Sequence, residues 1–306
     1  MKKLGIIGGA GGIGSTSGFY IGHSGLFKEI ALVDVKHNVL RSHHFDIEQS
    51  VGEFNATKFT AGSWEELAGS DIVLMEASAP QPKAASRNEF LSINLGVVKE
   101  AAEAIKQYCP NAIVVTATAP TDVFNYVFHH LLGGDKRRFI GFTRNDSVRL
   151  RWASARVLGV EMHRVGGMVI GEHGETQVPL YGTVTVDGRP ANLTADQIAR
   201  IDSTLKNYFT EQMKLAAGRS STWLTPTSIT FIVRALCQKG GAGPIPASAV
   251  LEGEYGLSGV SLGMPLIIGP KGWQEIQTLK LTDTEQAALE ASANQVRKLI
   301  ADCDLR

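Results

Sequence analysis

Cysteine is scarce in this 306-residue chain. Cys109, Cys237 and Cys303 are widely spaced, odd in number, and form no CxxC pair. That excludes a disulfide framework and leads us to expect a reduced, cytosolic protein. An excess of one charge is missing too, because 30 Lys plus Arg balance 30 Asp plus Glu. A nucleic acid or membrane surface held mainly by charge is therefore not expected as a partner. No apolar run is long enough to span a bilayer. The start, MKKLGIIGGAGGIG, has lysines before apolar residues as a secretion signal does, but its glycines interrupt the apolar segment such a signal needs. There is no internal repeat, no low-complexity linker and no HExxH zinc signature. HHFDIE, His43 to Glu48, falls on a polar helical stretch and reads as a solvated or subunit-facing surface rather than a metal site.

What is present is alternation. KKLGII reads as a strand, Ile13 to Ser24 as a helix, EIALVDV as a strand and Lys36 to Val51 as a polar helix. DIVLMEA is a strand, Asn88 to Tyr108 has helical spacing, NAIVVTAT is a strand, Thr121 to Leu132 a helix and RFIGF a strand. This order predicts an α/β fold, with a parallel sheet covered by helices. After Phe142 the pattern changes to extended pieces around a hairpin, a long amphipathic helix starting at Leu193-Thr194, a helix near 225–239, two or three strands and a closing helix over 284–301. The chain is long enough for two lobes, expected at 1–142 and 143–306, the second α+β and packed directly on the first.

Three motifs carry chemistry. IIGGAGGIGS follows the first strand and opens a helix. Gly9, Gly11 and Gly14 satisfy GxGxxG, and Gly8, Gly11 and Gly14 satisfy GxxGxxG. Such glycines let backbone N–H groups approach a pyrophosphate at the positive end of a helix. Asp34, 20 residues after Gly14, ends the second strand, where a carboxylate can bind both ribose hydroxyls. An acid there repels a 2′-phosphate and favours NAD over NADP. DSVR, Asp146 to Arg149, would place acid and base on one face of a helix, which alone is usually a surface ion pair. GEHGE, Gly171 to Glu175, sets His173 between glycines and acids, and histidine suits proton exchange near neutral pH.

In this order and separation the motifs resemble the lactate/malate dehydrogenase family over nearly the whole chain. GGAGGIG looks like the malate-type glycine loop, and VLEGEYGLSGVSLGMPLIIGPKG is similar to the family's C-terminal strand region. The resemblance implies hydride transfer between NAD(H) and C2 of a small 2-hydroxy or 2-oxo acid, in a homodimer or homotetramer. It implies His173 as the acid/base, Asp146 as its partner, Arg149 as the grip on the C1 carboxylate and Arg87 as the group that polarises the carbonyl. Cofactor contacts are implied at Gly8, Gly9, Gly11, Gly12, Ile13, Gly14, Asp34 and Asn94. ASAPQPKAASR, residues 77–87, resembles the family's mobile lid, and its Gln81 the position that reads the substrate side group. Malate-type enzymes generally carry arginine there and lactate-type enzymes glutamine. A neutral residue leaves a second carboxylate unpaired, so lactate and pyruvate are favoured, with malate and oxaloacetate as the alternative. Lys83 stands close by in sequence. Two positions depart from the pattern. Ala119 replaces an asparagine that positions nicotinamide and substrate, for which Thr116, Thr118 or a water would have to compensate. Asn145, preceded by Arg144, replaces a leucine and puts polar groups near the carboxylate site. A protein that holds NAD but has lost turnover is the competing reading. An NAD- and metal-dependent glycosidase would need a ligand cluster that the sequence does not offer.

Overall fold

A computed structural model describes residues 1–79, 87–217 and 221–305, with the side chains of 87–90 and 213 outside that description. Gln81 and Lys83, and with them residues 80–86 of the expected lid, therefore lie outside the described residues.

The first half runs β1 (Lys3–Ile7), α1 (Gly12–His23), β2 (Glu29–Val33), α2 (His37–Gly52), β3 (Lys58–Gly62), β4 (Ile72–Met75), α3 (Arg87–Tyr108), β5 (Ile113–Thr116), α4 (Thr121–Leu132) and β6 (Phe139–Phe142). The second half runs α5 (Arg144–Leu158), β7 (Val165–Gly171), β8 (Gln177–Val186), β9 (Arg189–Pro190), α6 (Ala195–Leu215), α7 (Leu224–Cys237), β10 (Ala242–Glu252), β11 (Ser258–Gly269), β12 (Gly272–Ile276) and α8 (Asp283–Ala301).

The sheet order is β3-β2-β1-β4-β5-β6-β10-β11-β7-β8-β9, with β12 beside β11. The first six strands are parallel, in the doubly wound order that reverses direction between β1 and β4. Strands covered on both faces should be apolar throughout. IVLM of β4 and IVVT of β5 are buried at every position. From β6 onward the pairing turns antiparallel, beginning with Phe142 and Gly141 against Ala247 and Ser248 of β10. The α/β class expected from the alternation is what the chain adopts.

Two elements do not stand out in the apolar pattern. β3 is KFTAG, too short and too mixed to stand out, and only Phe59 in it is buried. α5 reads RNDSVRLRWASARVL, whose charges mask a buried stripe of Val148, Leu150, Ala153 and Ala155. The predicted boundary at Thr194 holds: the Thr194 Oγ1 accepts from the Gln197 N–H at 3.2 Å, and Gln197 Oε1 accepts from the Thr194 N–H at 2.9 Å.

Helix α8 braces the segment after β7. Its Ser292 is fully buried, and the Ser292 Oγ accepts from the Glu172 N–H at 2.7 Å. A capping box starts α8, with Thr282 Oγ1 accepting from the Glu285 N–H and Glu285 Oε2 from the Thr282 N–H. Thr282→Ala removes one cap and should cost about 1 kcal/mol. The expected result is a fall in Tm of about 2–4 °C by calorimetry.

Candidate active site

The carboxyl ends of β1, β2 and β4 converge on the glycine loop. Gly8 turns the chain at φ +99°, and its N–H donates to Val33 O at 2.8 Å. Gly14 starts the helix so close that a Cβ there would stand 2.1 Å from Gly8 O. Gly8, Gly11 and Gly14 thus carry the close approach, while Gly9 packs on Leu32 and Leu40. Gly11 and Gly12 are exposed, Ile13 half-buried. No side chain caps α1 and no acid occupies its first turn, so its positive end is left for an anion.

Asp34 sits just past β2. Its Oδ2 accepts from the Ala10 N–H at 3.0 Å and its Oδ1 from the Lys36 N–H at 2.9 Å. Each carboxylate oxygen has capacity for a second donor, such as a ribose hydroxyl. These residues fit a dinucleotide. Asn94 is placed differently from expectation. It is fully buried, its Oδ1 accepts from the Ala79 N–H, and its Nδ2 donates to Ala119 O. It braces two loops and offers no exposed side chain to a cofactor. Nor do the two threonines make up for Ala119. Thr118 Oγ1 donates to Ala77 O at 2.7 Å, and Thr116 is fully enclosed, its hydroxyl without a partner among the described residues.

The second half carries the candidate residues for proton exchange. α5 presents Asp146, 6 % exposed, to the segment that follows β7. His173 Nδ1 lies 2.5 Å from Asp146 Oδ2, and Arg149 Nη1 donates to Asp146 Oδ1 at 3.3 Å. The sequence pair Asp146/Arg149 is therefore no surface ion pair. Burial alone would lower the His173 pKa. The charge and hydrogen bond of Asp146, with the charge of Asp122, outweigh it and raise the pKa overall. With Nδ1 turned to the carboxylate, Nε2 is the nitrogen left for exchange. The Phe142 ring meets the imidazole edge-on at 5.5 Å. Arg149 lies beside Tyr208 and Phe209 of α6, with Nε enclosed and without a partner among the described residues.

Asn145 and Arg144 turn toward α7. Asn145 Nδ2 donates to Thr225 Oγ1, its Oδ1 accepts from Ser228 Oγ, and Arg144 stacks 3.8 Å over the Phe231 ring. Arg87 opens α3, but its side chain lies outside the described residues. Among the described residues no cluster of three His, Cys, Asp or Glu could hold a metal.

Two family models cover the chain: the lactate/malate dehydrogenase NAD-binding domain over residues 2–141 and the lactate/malate dehydrogenase alpha/beta C-terminal domain over 143–304. The chain belongs to the lactate/malate dehydrogenase family. It is an NAD-dependent oxidoreductase. Relatives carry both names. A malate dehydrogenase of Anaeromyxobacter dehalogenans is 30 % identical over 311 residues, covering 99 % of each chain. An L-lactate dehydrogenase of Acetivibrio thermocellus is 29 % identical, covering 100 % of this chain and 98 % of its own. The solved lactate dehydrogenase of Cryptosporidium parvum, in complex with lactic acid and nicotinamide adenine dinucleotide, superposes with TM-score 0.91 at 29 % identity, covering 99 % of this chain and 98 % of its own.

Two acids, the buried Asp122 and the half-buried Glu76, escaped the sequence reading. Asp122 read only as an ordinary acid in the first turn of a helix. Glu76, at the end of DIVLME, lies against the glycine loop: Ser17 Oγ of α1 donates to its Oε1 at 2.8 Å, and Oε2 has no partner among the described residues. Burial pushes its pKa up to about 8, against the pull of Ser17. The folded protein therefore keeps a proton that the unfolded chain releases above its ordinary value of 4.5. Stability from this group falls as pH rises from there through about 8. Glu76→Gln should flatten that dependence, with a Tm roughly 2–4 °C above wild type at pH 8 and near equality at pH 5. Gly14→Ala, which drives a methyl into Gly8 O, should weaken NADH binding more than tenfold in a fluorescence titration.

Proposed function

We propose that the chain is an L-2-hydroxy-acid dehydrogenase favouring small monocarboxylic substrates of the lactate/pyruvate kind. The observation that carries the reaction is the His173–Asp146–Arg149 cluster, an imidazole hydrogen-bonded to a buried carboxylate beside a guanidinium. The bound nicotinamide would supply the hydride as NADH and accept it as NAD⁺. His173, protonated, gives its Nε2 proton to the C2 oxygen during reduction and takes it back during oxidation. Asp146 holds the tautomer and stabilises the imidazolium. Arg149 grips the C1 carboxylate through its planar fork. Because the His173 pKa is raised, reduction persists to higher pH than a solvent-exposed imidazole would allow, and it declines once His173 loses its proton.

The cofactor is assigned to a lobe of residues 1–142 and the acid/base chemistry to 143–306, in keeping with the change from parallel to antiparallel pairing after β6. Gly8, Gly9, Gly11, Gly12, Ile13, Gly14 and Asp34 are assigned to the dinucleotide. Arg87 is assigned to the carbonyl. The homo-oligomer implied by the family would use α2 around Asp46, where Val39 and Phe45 are exposed.

Substrate choice rests on Gln81, a neutral residue where a second carboxylate would need a cation. Arg144 does not stand in for one, because it is spent on Phe231 and Ser228. The relatives named malate dehydrogenase favour oxaloacetate as the second reading. Steady-state NADH oxidation with pyruvate, 2-oxobutyrate, 2-oxoisocaproate and oxaloacetate decides between them. Preference for a monocarboxylic acid is expected, and Gln81→Arg should raise kcat/KM for oxaloacetate at least tenfold. A clear wild-type preference for oxaloacetate sinks the Gln81 argument. Tight NADH binding without turnover of any acid would favour the binding-protein reading that Ala119 motivates.

A further inference from the structure

Asp122 occupies the first turn of α4, where an acid ordinarily serves its own helix. Its side chain does something else. It is 2 % exposed, and both oxygens leave the helix. Oδ2 accepts from the main-chain N–H of His173 at 2.7 Å, and Oδ1 accepts from Ser248 Oγ of β10 at 2.6 Å. Ser248 Oγ meets Ser261 Oγ of β11 at 2.8 Å, and Asn125 Nδ2 of α4 donates to Ser261 Oγ at 2.9 Å. Asp122 thus ties the cofactor half to the segment that carries the imidazole.

We infer that Asp122 is a positioning residue for the reaction proposed above, fixing the His173 main chain and adding a second carboxylate that favours the protonated imidazole. The inference rests on His173 being the acid/base. Hydrogen bonding alone does not require the charge. An asparagine would have the same shape and could accept through its oxygen, without the cost of burying an ion. The charge acts on His173, whose pKa the Asp122 field raises.

Among the described residues the groups around this pair are few. Asp146 and Arg149 face His173 from α5, and Glu172 adjoins it in sequence. The β10 and β11 neighbours are serines, and α8 contributes Ser292. On α4 itself, His129 and His130 lie in the last turn, at the far end of the helix. Burial pushes Asp122 up to about 7, with Ser248 and the His173 N–H pulling it down. As pH rises, Asp122 ionises and its charge is then in place to delay the loss of the His173 proton.

The test is the pH profile of pyruvate and oxaloacetate reduction by full-length wild type, Asp122→Asn and His173→Asn. For Asp122→Asn the alkaline limb should move down by about half to one pH unit. kcat at pH 8 should fall about tenfold, while KM for the 2-oxo acid and the NADH Kd stay within about twofold. An alkaline limb at the wild-type pH overturns the inference, even if activity falls, because a purely structural role would not move it. If Asp122→Asn does not fold, the decision passes to the wild-type His173 main-chain amide, followed by NMR. A midpoint below the ring titration, raised by burial above the ordinary carboxylate range, supports the inference, and the absence of any second midpoint overturns it. Undiminished turnover by His173→Asn overturns the underlying acid/base reading, and this inference with it.

Discussion

The hydrogen bond between His173 and Asp146 is the contact around which the molecule is arranged. Neither partner is viable alone where it stands. A carboxylate buried to 6 % exposure is costly unless donors reach it, and burial by itself strips an imidazole of its proton. Each answers the other's cost at 2.5 Å, and Arg149 answers the remaining oxygen of Asp146. The surrounding elements keep that distance. α5 holds the acid and the arginine one turn apart, Gly171 ends β7 with φ +85°, and Ser292 of α8 fixes the Glu172 N–H.

The pair only becomes useful beside a cofactor, and β6 provides the junction. It is the last parallel strand and the first to pair antiparallel, so the glycine loop and His173 belong to one continuous sheet. Phe142 at its end reaches the imidazole, and Asp122, which begins the helix leading into β6, reaches the His173 main chain. Gly12 approaches Thr222, just ahead of α7, so the two halves also meet at the cofactor loop. Movement of one half against the other would therefore disturb the Asp146–His173 pair and the glycine loop together.

Apolar runs and their spacing made most of the fold legible before any coordinates. β4 and β5 are buried at every position and read that way from composition alone. β3 was silent because an edge strand with one buried residue has no pattern to show. α5 showed only through DSVR, because many of its polar residues are buried or paired rather than solvated. Ser147 donates to nothing on its own helix; its Oγ accepts from the Val169 N–H, while Asn145 bonds to α7. In the site, His173, Asp146 and Arg149 were named from sequence and are brought together. Asn94 was named as a cofactor contact, and its neighbours across the fold, Ala79 and Ala119, hold both ends of its side chain.

By itself the sequence determined the α/β class, the glycine turn, the acid at the end of the second strand and the candidates for proton exchange. All of these depend on local geometry: the period of apolar residues, the room a glycine leaves, the distance from a strand end to a helix start. Only the tertiary structure decided that Asp146 is a buried partner rather than a surface acid, that Arg144 is spent on Phe231, and that Asp122 is buried and Glu76 half-buried. Burial and pairing are set by residues distant in sequence. Asp122 and Ser248 are 126 positions apart, and His173 and Asp122 are 51. The pKa of each acid follows from which of those distant neighbours it meets.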